Sequence, residues 1–252
     1  MGADLVAEWD GFGTLTSTVG GKTYSLDKNA SYCSVTNGVL SVSNATSGSS
    51  AATATVDLSA ANLTMDNGIT ISLTLSNQAI LAGQGKNPAG VFGLATEGSD
   101  FSFLAAYYTD FSKYALAYNG SVNNVTLPTG GLTKPQDANE NYILPTGDTP
   151  VTLTLTIKDT EVNYYVNGNS IGVSTFNTTG GDLTASKITT LSLGSWVGTT
   201  ENSRSSAKFY DLAVYNGAMT ATEVKALMVP EPTTATLSLL ALAGLAARRR
   251  RR

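Results

Sequence analysis

The chain has 252 residues, of which 42% are hydrophobic and only 13% charged, and 35 Thr with 25 Ser supply most of its polar surface. It contains no histidine and a single cysteine, Cys33, which excludes His-dependent triads and dyads, His-ligated zinc or haem, an intramolecular disulfide and any multi-Cys metal site. The net charge of −4 hides a split: residues 1–228 carry 10 Lys+Arg against 18 Asp+Glu, while five of the six arginines close the chain. An acidic body without a basic stripe repels a phosphate backbone, so nucleic acid is excluded as a partner.

The first segment, Met1-Gly-Ala-Asp-Leu-Val-Ala-Glu-Trp9-Asp, lacks the basic start and apolar run of a secretory signal, and Val6 stands where myristoylation of Gly2 would require Ser or Thr. The reading frame is expected to extend upstream into a signal peptide. The same stretch continues as Glu8-Trp9-Asp10-Gly11-Phe12-Gly13, the nearest approach to the Glu-x-Asp-x-x-Glu pattern of glucanases. Gly occupies the last acidic position, so the paired carboxylates of a glycosidase are not supplied. No enzymatic activity is expected. Cys33 lies in a strand-like segment without an activating base and reads as a small core or boundary residue.

Period-two alternation then dominates. It is clearest at Ile69-Thr-Ile71-Ser-Leu73-Thr-Leu75 and Val151-Thr-Leu153-Thr-Leu155-Thr-Ile157, and weaker over 39–43, 52–58, 90–96, 101–108, 112–118, 188–194 and 207–215. One apolar and one polar face per strand argue for antiparallel sheets. Residues 119–150 hold four of the seven prolines and little alternation, and read as a long excursion, either a binding loop or a floppy one. Residues 151–174 predict a three-strand meander turning at Asp159-Thr160 and at Asn167-Gly168, the latter a type I′ signal, with Val162, Tyr164 and Val166 on one face.

A helix is predicted from Met219-Thr220-Ala-Thr-Glu223-Val224 to near Met228. Thr220 and Glu223 have capping-box spacing, and Met219 with Val224 fits a hydrophobic staple. It follows the strand Lys208-Phe-Tyr-Asp211-Leu-Ala-Val-Tyr215-Asn. Together with the Leu5-Val-Ala-Glu-Trp9-Asp-Gly start and the Tyr165-Val-Asn-Gly168 hairpin, this ending resembles LamG domains, and residues 1–228 are similar to a concanavalin A-like jelly roll: all-β, two antiparallel sheets and one short C-terminal helix. The resemblance implies carbohydrate or matrix binding. An aromatic platform for sugars is offered by Trp196, Tyr107, Tyr108 or Tyr165; filling core space is the competing and favoured role for Trp196, and alternation lets only one of Tyr107 and Tyr108 face outward. Calcium is implied by the resemblance alone: Asp66, Asp100, Asp110 and Asp211 are scattered and form no EF-hand pattern, so no cofactor or metal site is assigned.

The last 24 residues (229–252) form a separate tail. Pro230-Glu231-Pro232 ends any preceding helix, residues 233–247 are uncharged, and Arg248, Arg249, Arg250, Arg251 and Arg252 follow. As a helix the apolar stretch would be roughly 22 Å long, short of a hydrocarbon core of about 30 Å, so snorkelling and local thinning must close the gap. The terminal arginines place that end on the cytoplasmic side. This tail resembles the PEP-CTERM sorting signal of bacteria. The resemblance implies export, a single membrane-sorting helix in the inner membrane, processing by an exosortase-type peptidase, and a final location in the cell envelope or outside the cell. Pro230, Glu231 and Pro232 are then substrate residues of that peptidase. The expected function is an exported carbohydrate- or matrix-binding module. The alternatives are a purely structural envelope or exopolysaccharide-associated protein and, third, a glycoside hydrolase.

Overall fold

The computed structural model describes residues 2–43, 54–80, 89–96, 102–107, 113–119, 125–126, 132–133, 148–175, 187–194 and 205–228. In chain order they form β1 (Asp4–Asp10), β2 (Thr16–Val19), β3 (Lys22–Lys28), β4 (Cys33–Thr36), β5 (Val39–Val42), β6 (Ala54–Asp57), β7 (Ile69–Ile80), β8 (Ala89–Thr96) and β9 (Ser102–Tyr107). There follow β10 (Lys113–Asn119), β11 (Val125–Thr126), β12 (Leu132–Thr133), β13 (Val151–Lys158), β14 (Glu161–Val166), β15 (Asn169–Thr175), β16 (Ile188–Leu193), β17 (Ser205–Asn216) and the helix α1 (Ala221–Leu227).

Two antiparallel sheets result. One runs β15-β14-β13-β7-β17-β5-β4, with β1 also on β17; the other runs β11-β10-β9-β8-β16-β6-β3-β2, with β12 on β10. They make a β-sandwich because the aliphatic face of each strand turns inward. Ile69, Ile71, Leu73 and Leu75 of β7 and Leu153, Leu155 and Ile157 of β13 join Leu26, Val56, Leu191 and Leu193 of the opposite sheet in one core, with Trp9 and Phe12 among its largest members. Each such side chain is worth about 1.5–3 kcal/mol on burial, so the alternation alone determines which face is inside.

The predicted meander is β13-β14-β15. Its turns use Asp159 (φ 51°), then Asn167 (φ 48°) and Gly168 (φ 76°), the left-handed pair that a type I′ turn demands. Val162, Tyr164 and Val166 are buried as expected. α1 begins with the predicted capping box: the Glu223 N–H donates to Thr220 Oγ1 at 3.3 Å and the Thr220 N–H to Glu223 Oε2 at 2.7 Å.

The outer face of the first sheet is not wholly solvated, as simple alternation would have it. The segment entering α1 and the helix itself lie over it, so Tyr165, Met219 and Val224 form a second small cluster. Thr70 is buried there and still satisfied, donating to Gly217 O at 2.8 Å and accepting the Met219 N–H at 2.9 Å. The excursion over 119–150 contains two short strands, β11 and β12, paired with β10; a two-residue strand carries no readable period.

Candidate functional site

The outer face of the first sheet carries the polar half of each alternating strand. Register sets these side chains in rows across it. Asp10 lies opposite Asp211, Asp211 opposite Thr74, and Thr74 opposite Thr152. In the next row Glu8 faces Ala213, Ala213 faces Ser72, and Ser72 faces Thr154. Ala213, Ser72 and Thr74 are short, whereas Glu8, Tyr215, Leu227 and Met228 around them are long. A cavity of about 360 Å³ opens over this floor, at the lower end of the 300–1,000 Å³ range of ligand pockets.

Its chemistry is acidic and hydroxylic. Glu8, Asp10 and Asp211 supply carboxylates, Ser72, Thr74, Thr152 and Tyr215 supply hydroxyls, and Leu227 and Met228 form an apolar wall; no Lys or Arg is among the described residues that line it. The floor hydroxyls are tied across the strands, Thr74 to Thr152 and Ser72 to Thr154, each at 2.9 Å. Asp211 accepts the Gly11 N–H at 3.2 Å. Burial pushes the Asp211 carboxyl above its ordinary value; the Gly11 N–H pulls it back, the Asp10 charge adds to the rise, and a Thr74 hydrogen bond lowers it. Burial and, secondarily, the Glu8 charge raise the Tyr215 phenol, which stays protonated.

Of the residues expected to form an aromatic platform, Trp196 and Tyr108 lie outside the described residues, as do Asp100 and Asp110. Tyr107 ends β9 opposite Ala89 and Tyr114. Tyr165 is corrected: at 5% exposure it packs with Met219 and Val224, so α1 takes the face a sugar would need. Asp66 sits in a turn, accepting the Asn67 N–H at 2.8 Å. Among the described residues no group of three His, Cys, Asp or Glu is placed to hold a metal ion, so the calcium that the resemblance implies finds no matching donor set there.

Asp10, Asp211 and Glu8 escaped as a group because they sit at the two ends of the body. The usable signal was the alternation itself, which puts Glu8 and Asp10 on the face opposite Trp9 and Asp211 on the face opposite Leu212.

Residues 229–252 match the PEP-CTERM protein-sorting motif, which marks an exported protein with a C-terminal sorting signal. These residues lie outside the described ones, and among the described residues no helix is long and apolar enough to cross a membrane. No curated protein matches the chain. Among solved structures, Trypanosoma rangeli sialidase in complex with 2,3-difluoro-KDN is similar at 13% identity with a TM-score of 0.60, covering 91% of this chain and 33% of that one. The receptor binding domain of botulinum neurotoxin D is similar at 9% identity with a TM-score of 0.58, covering 89% and 52%. Domain 4 of AbnA, an extracellular GH43 arabinanase from Geobacillus stearothermophilus, in complex with arabinotriose, has 14% identity, a TM-score of 0.49 and coverage of 91% and 100%. The chain spans about a third of the length of the sialidase chains, and the first two likenesses show the fold alone.

Proposed function

We propose that residues 1–228 are a LamG or concanavalin A-like jelly-roll module that binds carbohydrate or matrix glycan without catalysis, and that the tail delivers it to the envelope. In this reading the stretch 233–247 is held in the inner membrane as a helix, Arg248–Arg252 stay on the cytoplasmic side, and an exosortase-type peptidase acts near Pro230-Glu231-Pro232. The module then resides in the envelope or outside the cell. The observation that supports binding is the cavity over Ala213: carboxylates, hydroxyls, one phenol and an apolar wall are the groups that orient a polyhydroxylated ligand.

A glycan array probed with the full chain, with Asp211→Asn and with Trp196→Ala is the test. Signals lost in Asp211→Asn and kept in Trp196→Ala support the pocket; the reverse shifts the ligand to the aromatic platform. No binding by the parent protein favours a purely structural envelope role. The mass of the protein isolated from its native envelope tests the sorting half: an unprocessed tail on the mature protein sinks it.

Hydrolysis is the second reading, favoured by one observation. Asp10 and Asp211 are direct cross-strand partners on one face, a relation that sets Cβ atoms about 4.5–5.5 Å apart and lets their carboxyl groups reach the separation of about 5–5.5 Å used by retaining glycosidases. Against it, Asp211 is already engaged by the Gly11 N–H. Release of new reducing ends from a bound glycan, abolished by Asp10→Asn, would establish the hydrolase.

A further inference from the structure

The helix α1 ends at Leu227 with Met228 as its C-cap, and Pro230 of the sorting motif stands two residues further along the chain. Glu231, three residues beyond Met228, stays within roughly 11 Å of it, because a chain extends by no more than about 3.6 Å per residue. A peptidase cleft takes an extended backbone, and the residues it would grip on the N-terminal side of the motif belong to α1 and its cap. These are held in another conformation. Val224 is fully buried with Met219 and Tyr165, and Leu227 packs against the same cluster. Met228 lies so close to the turn between β14 and β15 that a Cβ on Gly168 would come 2.7 Å from its Cγ, and its N–H donates to Lys225 O at 3.2 Å.

A helix of seven residues is too short to persist in water unaided, so α1 is helical only while docked, and leaving the sheet and unwinding are one event. Its hold is small: a cluster of three buried side chains, the Thr220–Glu223 capping box and the contact of Met228 with Gly168. A peripheral unit with so few buried contacts opens by itself while the inter-sheet core stays folded. We infer that α1 is a latch on the sorting motif: docked on the outer face of the first sheet, it withholds the residues preceding Pro230 from the processing peptidase, and its undocking sets the rate at which the tail is removed. The inference rests on the exosortase-type processing proposed above. Where opening is fast relative to cleavage, the rate follows the population of the open form, so a change that loosens α1 speeds processing and one that tightens it slows processing.

The test is pulse-chase of the full chain in its host, following conversion of the precursor to the processed protein. Thr220→Ala, which removes the cap, is expected to be processed about fivefold faster than the parent, the factor by which loss of an N-cap weakens a helix. Thr220→Ser keeps the capping hydroxyl and should be processed at the parental rate. A Gly-Ser spacer of about ten residues inserted between Met228 and Val229 should speed the parent and erase its difference from Thr220→Ala, since the motif then clears the docked helix. Equal rates for the parent and Thr220→Ala, slower processing of that variant, or a difference that survives the spacer overturns the inference and leaves the exosortase-type reading standing. A tail retained on the parent and on every variant overturns both.

Discussion

The Asp211 carboxylate accepts the backbone N–H of Gly11 at 3.2 Å across 200 residues of chain, fastening the end of β1 to the middle of β17. The same residue lies opposite Asp10 of β1 and Thr74 of β7, so it sits where three strands meet on the outer face.

Asp211→Asn should therefore raise thermal stability at neutral pH while weakening ligand binding. Its folded-state carboxyl lies above the ordinary value for an aspartate, chiefly through burial, so the native state binds the proton more tightly than the unfolded one. That contribution is fully present below the ordinary value and is lost as pH rises through the folded value. Melting curves of both proteins across the acid range check this: the variant's advantage should appear above that window and disappear below it. A variant less stable at neutral pH would contradict the assignment.

The opposite sign applies at the start of α1. Hydrogen bonds from the Thr220 backbone and hydroxyl hold Glu223 below the ordinary value for a glutamate, so its stabilisation is present above that value and is lost as pH falls through the lowered one. Thr220→Ala should cost about 1 kcal/mol at neutral pH and less once Glu223 is protonated. Chemical unfolding at two pH values measures the difference.

Two glycines at positive φ rank by what a side chain would meet. At Gly68 a Cβ would come 2.6 Å from the Ala218 backbone nitrogen, whereas at Gly168 its nearest neighbour, at 2.7 Å, is Met228 Cγ. A methionine side chain can move aside more easily than backbone, although Lys225 Cα lies 3.3 Å away. Both alanine variants bear about 1–2 kcal/mol of left-handed strain, and Gly68→Ala should be the more destabilising in denaturant titrations. Gly168→Ala should instead loosen the end of α1, seen as faster proteolysis after Lys225.

Trp9 is 2% exposed, and its indole Nε1 is buried without a partner. An unmet donor of this kind costs about 1–3 kcal/mol, so Trp9→Phe, which removes it along with some volume, should be much milder than Trp9→Ala, for which about 3–5 kcal/mol is expected. Equal losses in the two variants would mean that the indole N–H is satisfied in solution.

Burial pushes the Cys33 thiol up to about 11, against smaller opposing effects of Lys28 and the Asn29 backbone. Since the thiolate is the nucleophile, only about one molecule in a thousand is competent at about pH 8. Alkylating reagents should label the protein slowly when native and fully when denatured; rapid native labelling would place the thiol at the surface.

Much of the fold was legible because its signals are local. Alternation marked β13, β16 and β17 within a residue or two and the start of β7, which runs on to Ile80; Asn167-Gly168 marked a turn, and Thr220 with Glu223 marked the helix start, since each depends on neighbours within one strand or one helical turn. The candidate site was poorly legible. Tyr165 has the composition of a sugar platform and lies under α1, an outcome decided by where a helix some 55 residues downstream comes to rest.

From the sequence by itself follow the all-β character, the inward face of each strand, the acidic body and the sorting tail, since period, charge and motif order are properties of consecutive residues. Only the tertiary structure decided that Glu8, Asp10 and Asp211 share one pocket. Their meeting depends on β1 pairing with β17 in a particular register, and a shift by one residue would have sent the carboxylates to the opposite face.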